Sequence, residues 1–377
     1  MANSKNSKKS GDATVYHLSD EHDGETIAAV LKRLQHPASW NQVKKAIASR
    51  HVQINGNLCV DEARRVSGKD VVKVFREPLP KPTSASDLRI VFVDDHLLVI
   101  EKPAGITSVR HAAEKQFSTR RRQLQPTLEE LIPPALAKKL HLRWPPLPPK
   151  GMNRGTRRDN WQRRGSSKVI QNAKKLPPEL QVFPVHRLDR DTSGLMIFAR
   201  TRQAEQRLVS QFRRHKVQRD YVAFCHGSIE SQTIRSWLVR DRGDGLRGSL
   251  GESASEEERG NALEAITHIR KSEIASPLSG DKSNTDETLP VISKLRLQLE
   301  TGRTHQIRIH LSEAGHAICG DKIYGNKQEH DSIPQPKRQA LHSDSLAFTH
   351  PLSGEELRFK MALPKDLKHW LTRLNGQ

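Results

Sequence analysis

The sequence predicts an α+β protein in which a mixed, mostly antiparallel sheet follows a smaller α+β domain. Three observations carry this prediction. Strand-length apolar runs and amphipathic helical patterns mix without the regular strand–helix–strand rhythm of a parallel fold. A proline-rich linker at 77–88 separates a compact first stretch from the rest of the chain. The 377 residues suffice for two domains and at least one large core.

The first stretch, residues 19–76, begins with two helical patterns. Ile27, Val30 and Leu31 follow the spacing of an amphipathic helix. Ser39 begins a second helix, because Ser at this position with Gln three residues later is a capping-box pattern. The basic residues of this helix and of its end are expected to face outward: Lys44, Lys45 and Arg50.

Two strand signals complete this first stretch. Asn55 and Gly56 join two short alternating runs and predict a hairpin, and a further strand is expected at 71–75. Two short helices and a hairpin with a basic outer face resemble the S4-type RNA-binding domain, mostly through SRHVQINGNLCV and SGKDVVKV. The resemblance implies RNA binding. From the residues alone, a small basic module of any role is an equally good interpretation.

Composition points to a polyanionic partner. The net charge of +20 favours nucleic acid over a membrane surface, and no apolar run is long enough to span a bilayer. Residues 1–18 are basic, lack the apolar segment of a secretory signal and are expected to form a disordered tail. Cys59, Cys225 and Cys319 show no paired spacing, which is typical of a reducing cytoplasm. We expect a cytoplasmic monomer that binds RNA.

A basic insertion interrupts the larger domain at about 138–180. Between Lys138 and Lys175, twelve Lys or Arg residues stand against one acid, Asp159. The segment is rich in Pro and Gly and predicts an irregular arm. Trp144 and Trp161 are aromatic residues among arginines, which can stack on a nucleic-acid base. The alternative is a solvated loop that adds only nonspecific charge.

The larger domain, residues 89–377, shows several further strand patterns. RIVFVDDHLLVIEKPAG predicts two strands with a turn at 94–96 between them. A helix is expected at 202–214, and the polar stretches near 243–260 and 274–288 are interpreted as surface insertions. Further strands are expected at 195–199, 221–225, 266–269 and 295–299.

Three familiar kinds of site are not supported by the sequence. His186, Asp189 and Ser193 lack the G-x-S-x-G turn of a hydrolase nucleophile. GDGLRGSLG lacks the Lys-Ser/Thr ending of a phosphate-binding loop. Four possible metal ligands match no metal-binding spacing and are interpreted as structural or RNA-contacting residues: His305, His310, His316 and Cys319.

The segment HRLDRDTSGLMIFAR, residues 186–200, instead places a carboxylate among basic groups just before a buried strand. Burial raises the pKa of a carboxyl, whereas a nearby arginine lowers it by about one to three units. Arg303 and Arg308 in TGRTHQIRIHL are candidate partners for Asp189. An ionised, buried carboxylate suits a nucleophile, but a purely structural ion pair fits these residues equally well.

The same segment resembles the signature H-R-L-D-x-x-T-S-G of the ribosomal large-subunit (RluA-type) pseudouridine synthases. DDHLLVIEKPAG resembles the first motif of that family, and LETGRTHQIRIHLSEAGHAICGDKIYG resembles its third. RDYVAFCHG and ALHSDSLAFTHPLSGEELRF resemble two more of its segments. The likeness spans about residues 20 to 365 and implies the pseudouridine synthase fold.

The resemblance implies an isomerase that converts uridine in RNA to pseudouridine without cofactor or metal. Asp189 matches the family's catalytic aspartate, Arg308 its arginine partner and Tyr221 the tyrosine that stacks on the uracil. Arg187 matches the arginine that fills the gap left by the extruded base. The remaining substrate or RNA contacts that the resemblance implies are His186, Thr192, Arg303 and His305.

Two departures from the family pattern stand out. Arg219 occupies a position at which the family usually has Lys, and the basic insertion lengthens the connection between the first two motifs. The most direct expectation is modification of large-subunit rRNA. A tRNA-directed synthase of the same family and a non-catalytic RNA-binding factor of ribosome assembly are the alternatives.

Overall fold

The computed structural model describes residues 7–10, 13–35, 37–79, 81–110, 126–146, 176–250, 255–276, 291–325 and 333–374. The chain forms two compact units. The first comprises residues 1–83 with 113–126, and the second comprises 84–112 with 127–377. No helix in the described ranges is long and apolar enough to cross a membrane.

The first unit is a five-stranded antiparallel sheet with two helices. Its strand order is β1-β2-β5-β3-β4. The strands are β1 Ser7–Ser10, β2 Ala13–His17, β3 Val52–Ile54, β4 Asn57–Cys59 and β5 Val71–Phe75. The helices are α1 Ile27–Leu34 and α2 Trp40–Ala48.

The capping box, the hairpin turn and the last strand that the sequence predicts for this unit are confirmed. Ser39 Oγ accepts a hydrogen bond from the Gln42 amide at 3.2 Å, and Gln42 Oε1 accepts one from the Ser39 amide at 2.6 Å. Asn55 and Gly56 both have positive φ, as a two-residue hairpin turn between β3 and β4 requires. Strand β5 begins and ends where the sequence predicts.

The prediction of a disordered tail over residues 1–18 is wrong where the structure describes it. Strand β2 pairs with β5 along its whole length, and β1 pairs with β2. Tyr16 and Leu18 are buried in the core of the unit. The disordered tail was predicted from the basic residues of this segment. Thr14, Val15 and Tyr16, which are residue types that favour strands, predict β2 instead.

The second unit is built on an eleven-stranded sheet in the order β12-β11-β13-β14-β10-β15-β9-β7-β6, with β16 beside β15 and β8 beside β9. The strands are β6 Arg89–Val93, β7 Leu97–Lys102, β8 Phe183–Pro184, β9 Ser193–Ala199, β10 Gln218–His226, β11 Thr233–Val239, β12 Gly248–Ser249, β13 Leu263–Ser276, β14 Ile292–Leu299, β15 Leu341–Thr349 and β16 Glu356–Lys360. Among these described strands, only β9 and β15 pair in parallel. The predicted α+β class with a mixed, mostly antiparallel sheet is confirmed.

Five helices accompany this sheet in the described ranges: α3 Leu128–Lys139, α4 Arg202–Arg213, α5 Glu256–Gly260, α6 Gln306–Glu313 and α7 Lys365–Leu374. The helix expected at 202–214 is confirmed as α4. The basic insertion begins inside α3, and its residues 147–175 lie outside the described part of the chain. The surface insertion expected near 243–260 contains β12 and α5, and most of the one near 274–288 lies outside the described residues.

Strand β9 is an interior strand of this sheet, between β15 and β7. All seven of its residues are buried, and its two faces contribute to different cores. Met196 and Phe198 pack with α3, whereas Leu195 and Ile197 pack with α4. This explains the continuous apolar run, because a strand covered on both faces does not alternate. The polar turn that precedes β9 is therefore anchored in the most buried strand of the unit.

Candidate active site

Asp189 lies in the turn that leads into β9, and a buried lysine forms hydrogen bonds with the backbone of this turn. Lys102 is fully buried at the end of β7. Its Nζ donates hydrogen bonds to the carbonyls of Thr192 at 2.7 Å, Arg190 at 2.9 Å and Pro103 at 3.1 Å. Burial lowers the pKa of Lys102 to about 7, although the negative charges of Asp191 and Asp189 oppose this shift. The backbone on the carboxyl side of Asp189 is thus fixed.

The other side of the turn is fixed by a hydroxyl. Ser108 Oγ donates to the Leu188 carbonyl at 2.7 Å and accepts from the Leu188 amide at 3.1 Å. Gly194 has φ of +137°, and a Cβ there would lie 2.3 Å from the Ser343 carbonyl oxygen on β15. Only glycine allows β9 to approach β15 this closely. Asp189 is therefore held by contacts on both sides and by a tightly packed strand.

Arg308 reaches this turn from helix α6. His305, the residue just before α6, is in the left-handed conformation, with φ of +61°. Gln306 Oε1 accepts hydrogen bonds from Thr301 Oγ1 at 2.8 Å and from the Arg303 amide at 2.9 Å. Arg308 Nη1 then lies 3.2 Å from Asp189 Oδ2. The carboxylate and the guanidinium that the sequence suggested as partners are in contact.

A second carboxylate also binds Arg308. Asp321 accepts hydrogen bonds from Arg308 Nε at 2.6 Å and Nη2 at 2.9 Å. Burial disfavours the charge of both groups, but their mutual hydrogen bonds and attraction outweigh it. The pKa of Arg308 is raised and that of Asp321 is lowered. Both groups are therefore ionised. Asp321 was not predicted as a site residue, although it stands in the GDKIYG end of the third motif.

His305 approaches Asp189 from another direction. Its Nε2 lies 3.9 Å from Asp189 Oδ2, and its Nδ1 lies 2.9 Å from the Tyr324 hydroxyl. Burial lowers the pKa of His305, although the charge of Asp189 opposes the shift. The imidazole is therefore neutral at neutral pH. It adds no full positive charge beside the carboxylate.

Tyr221 lies on β10, and its ring faces the same space. The side chain is buried, and Tyr221 pairs with Ser343 where β10 meets β15. Burial raises the pKa of Tyr221, although the positive charge of Arg219 opposes the shift. Arg219, which replaces the usual lysine, is itself buried and donates to the Glu300 carbonyl at 2.7 Å. The phenol is therefore protonated at neutral pH.

A cleft of about 480 Å³ in the second unit is lined by Asp189, Tyr221, His305 and Arg308. The structure brings together all eight site residues that the sequence places in this unit: His186, Arg187, Asp189, Thr192, Tyr221, Arg303, His305 and Arg308. The three basic residues assigned to RNA binding in the first unit lie on or just after helix α2: Lys44, Lys45 and Arg50.

Two of the expected substrate contacts bind the protein itself. His186 Nε2 accepts the Ile197 amide at 2.9 Å, and burial lowers the pKa of His186 to about 3. Thr192 Oγ1 accepts a hydrogen bond from Gln339 Nε2 at 2.7 Å. These bonds favour a structural role for both residues, and their contact with RNA stays a prediction.

The suspected metal ligands have other partners. His310 Nδ1 lies 2.9 Å from Thr267 Oγ1, and its Nε2 lies 2.8 Å from Ser236 Oγ. His316 Nδ1 lies 2.9 Å from the His226 carbonyl oxygen. Within the described part of the chain, no group of three or more His, Cys, Asp or Glu side chains is placed to hold a metal ion.

The fold and this cleft match one class of protein. The family model described as RNA pseudouridylate synthase matches residues 96–313, which is more than half of the chain. The chain therefore belongs to this family of RNA-modifying isomerases.

Three relatives extend the likeness over nearly the whole chain. The protein is 30% identical over 361 residues to "Ribosomal large subunit pseudouridine synthase D" of Zymomonas mobilis, which covers 93% of this chain and 94% of that protein. It is 30% identical over 371 residues to the protein of the same name from Xanthomonas campestris, covering 94% of this chain and 90% of the relative. An "Uncharacterized RNA pseudouridine synthase" of Bacillus subtilis is 27% identical over 362 residues, with coverages of 93% and 94%.

Proposed function

We propose that the protein converts specific uridines of large-subunit rRNA to pseudouridine, with Asp189 as its catalytic carboxylate and without a cofactor. The observation that carries this proposal is the contact between Asp189 and Arg308 inside a cleft that Tyr221 also lines. The names of the Zymomonas and Xanthomonas relatives support large-subunit rRNA as the substrate.

The reaction breaks the bond between the ribose and a ring nitrogen and forms one between the ribose and a ring carbon. The carbon loses its proton and the nitrogen gains one, so the product is an isomer of uridine. An ionised Asp189 beside the glycosidic bond attacks the ribose or the base, or removes a proton from the ribose. Arg308 orients the carboxylate, and the Tyr221 ring stacks on the uracil.

Arg187 is exposed at the cleft, unlike the other site residues near Asp189. Extruding a base from a helix costs a few kcal/mol, because the base loses its stacking partners. The planar Arg187 guanidinium can occupy the vacated space and recover part of this energy. Arg187 thereby lowers the energy needed to bring uridine into the cleft.

The first unit is proposed to bind RNA as an S4-type domain. Lys44 and Lys45 are exposed on α2. Lys44 forms a surface ion pair with Glu62 at 3.2 Å, and Arg50 Nε donates to the Leu79 carbonyl at 2.9 Å. A surface ion pair contributes less than about 1 kcal/mol. Lys44 can therefore exchange Glu62 for an RNA phosphate.

We further propose a cytoplasmic monomer. The three cysteines all lie in the described part of the chain, are buried and form no disulfide, as a reducing compartment favours.

The proposal is tested with purified protein and large-subunit rRNA transcribed without modifications. After incubation, pseudouridines are mapped by chemical labelling and sequencing, with unmodified tRNA treated in parallel. We expect pseudouridine at discrete rRNA positions, and loss of the same positions in cells that lack the gene. Modification of tRNA alone would support the tRNA-directed alternative. Binding of rRNA without any pseudouridine would support an assembly factor.

A further inference from the structure

Arg308 contacts two carboxylates in different ways. It gives two short hydrogen bonds to Asp321, from Nε at 2.6 Å and from Nη2 at 2.9 Å. It gives Asp189 one longer bond, from Nη1 at 3.2 Å. The Asp321 side chain is fully buried, whereas that of Asp189 is 17% exposed towards the cleft. The stronger ion pair of Arg308 is therefore the one that does not face substrate.

The charges of this group do not cancel. One guanidinium lies between two carboxylates, so the three side chains together carry one negative charge. A two-point arginine–carboxylate contact is stronger and more directional than a single bond. Asp321 is thus the main counter-ion of Arg308. Asp189 remains a carboxylate whose charge is only partly compensated, as a nucleophile or base requires.

The Asp321 carboxylate is itself held by a turn. Its Oδ1 accepts backbone amides from Ile323 at 3.0 Å and Tyr324 at 3.2 Å. The preceding Gly320 has φ of +74°, and a Cβ there would lie 2.4 Å from the Arg338 carbonyl oxygen. The turn is therefore packed too tightly for Asp321 to move. A rigid carboxylate fixes the plane of the guanidinium that it binds.

The Tyr324 ring covers a further side of Arg308. Arg308 Cζ lies 5.0 Å from the centre of the Tyr324 ring, a cation–π distance. Ser312 Oγ on α6 donates to the Tyr324 carbonyl at 2.7 Å, which ties the turn to the same helix. Asp321 and Tyr324 together leave Nη1 as the edge of Arg308 that points to Asp189.

We propose that Asp321 is a positioning residue for the isomerisation, because it fixes Arg308 so that Nη1 orients Asp189 without neutralising it. This inference rests on the proposed role of Asp189. It assigns Asp321 no contact with RNA. The competing explanation is that Asp321 only stabilises its own turn through the amides of Ile323 and Tyr324.

Two variants separate these explanations. Asp321→Asn removes the charge, and Asp321→Ser keeps an oxygen that can accept the turn amides but cannot bind Arg308 at two points. We expect both to lower kcat on rRNA by about 10- to 100-fold, since a small misplacement of a catalytic group has effects of this size. KM and the Kd for rRNA stay within about twofold of wild type, because Asp321 does not touch RNA.

Asp344→Asn is the matched control. Asp344 is a buried aspartate that pairs with Arg296, and it is not among the residues that line the cleft. We expect Asp344→Asn to lower the unfolding temperature as Asp321→Asn does, with kcat within about twofold of wild type, because only stability is affected.

The second measurement repeats the substitutions in an Arg308→Lys background. Lysine cannot make the two-point contact, so Asp321→Asn is expected to change kcat there by less than about twofold. Wild-type kcat in folded Asp321→Asn or Asp321→Ser would overturn the inference. So would a full additional loss in the Arg308→Lys background. A wild-type protein that makes no pseudouridine in rRNA would instead overturn the proposed function.

Discussion

Arg308 Nη1 lies 3.2 Å from Asp189 Oδ2, although 119 residues separate the two along the chain. Asp189 lies in the turn four residues before β9, and Arg308 lies in the helix that follows β14. Strands β15 and β10 lie between β9 and β14 in the sheet. The contact therefore depends on the order of four strands, and a change that disturbs their pairing reaches the site without touching it.

Gly194→Ala is expected to disturb that pairing. Gly194 pairs with Ser343 where β9 meets β15, and an added Cβ would lie 2.3 Å from the Ser343 carbonyl oxygen. The strands must separate or the backbone must change, at a cost of about 3 kcal/mol or more. We expect a large fall in the unfolding temperature and loss of pseudouridine formation, measured by thermal denaturation and rRNA mapping.

Gly245→Ala provides the control for the conformation itself. Gly245 also has positive φ, of +79°, but no atom lies within 4 Å of an added Cβ. Gly245→Ala is therefore expected to lower the free energy of unfolding only by the cost of placing alanine in the left-handed conformation, about 1 kcal/mol. Equal destabilisation by the two substitutions would show that the close approach of β9 to β15 is unimportant.

His186 is expected to make the protein sensitive to acid. Its folded-state pKa is about 3, against 6.5 ordinarily, so between these values the unfolded chain binds a proton that the folded chain does not. Stability therefore falls as the pH drops below 6.5, by at most about 1.4 kcal/mol per pH unit for this proton. At neutral pH His186 is neutral in both the folded and the unfolded chain, so its protonation does not reduce the free energy of unfolding there.

His186→Gln tests this sign. Glutamine can accept the Ile197 amide but has no group that titrates. We expect the variant to be less stable than wild type at neutral pH, because it loses the ring that stacks on Phe212 with centroids 4.7 Å apart. Urea unfolding at several pH values should show this gap narrowing as the pH falls. A gap independent of pH would mean that His186 is not the titrating group.

Tyr221→Phe separates the two tasks assigned to this residue. Burial raises the pKa of the phenol, so at neutral pH it can donate a proton and cannot act as a ready base. Phenylalanine keeps the ring that is proposed to stack on the uracil and loses only the hydroxyl. We expect kcat to fall by about 100-fold while the Kd for rRNA is unchanged. Wild-type kcat in Tyr221→Phe would limit the residue to stacking.

The basic insertion is expected to contribute charge to RNA binding. The first residues of the insertion belong to α3, which ends at Lys139, and the described chain continues to residue 146. The replacement by a Gly/Ser linker of equal length is therefore confined to residues 147–175. This removes nine Lys or Arg residues and one Asp. The affinity for rRNA should fall, and the slope of log Kd against log salt should become shallower by about 0.7 to 0.9 for each RNA phosphate that the protein no longer neutralises. An unchanged slope would support the solvated-loop interpretation.

Features with local causes were predictable from the sequence. The capping box of Ser39 and Gln42 and the turn at Asn55 and Gly56 depend on residues a few positions apart. Strand β9 was indicated by the apolar run at 195–199, and in the structure it begins two residues earlier, at Ser193. Asp189 was singled out because a charged turn beside such a strand is physically costly unless the charge is used or paired.

Three features that depend on distant segments were not predicted from the sequence: the pairing of β9 with β15, the contact of Asp321 with Arg308, and strand β2. No local signal specifies the parallel pairing of β9 with β15, because the two strands lie about 150 residues apart. Asp321 stands in a turn motif and shows its role only when Arg308 lies beside it. Strand β2 was hidden by the basic residues before it, since its partner β5 lies more than 50 residues further along. Contacts between segments this far apart leave no local pattern in the sequence, so only a resemblance to a known family could have suggested them.

The central claim is that Asp189 is the catalytic carboxylate, and Asp189→Asn tests it most directly. The amide keeps the size of the side chain and an oxygen facing Arg308 Nη1, but it has no charge with which to attack or to accept a proton. Folding is measured by thermal denaturation, rRNA binding by Kd, and pseudouridine by mapping under single-turnover conditions with enzyme in excess. We predict a folded protein that binds rRNA like wild type and forms no pseudouridine. Pseudouridine formed at the wild-type positions and rate would contradict the account.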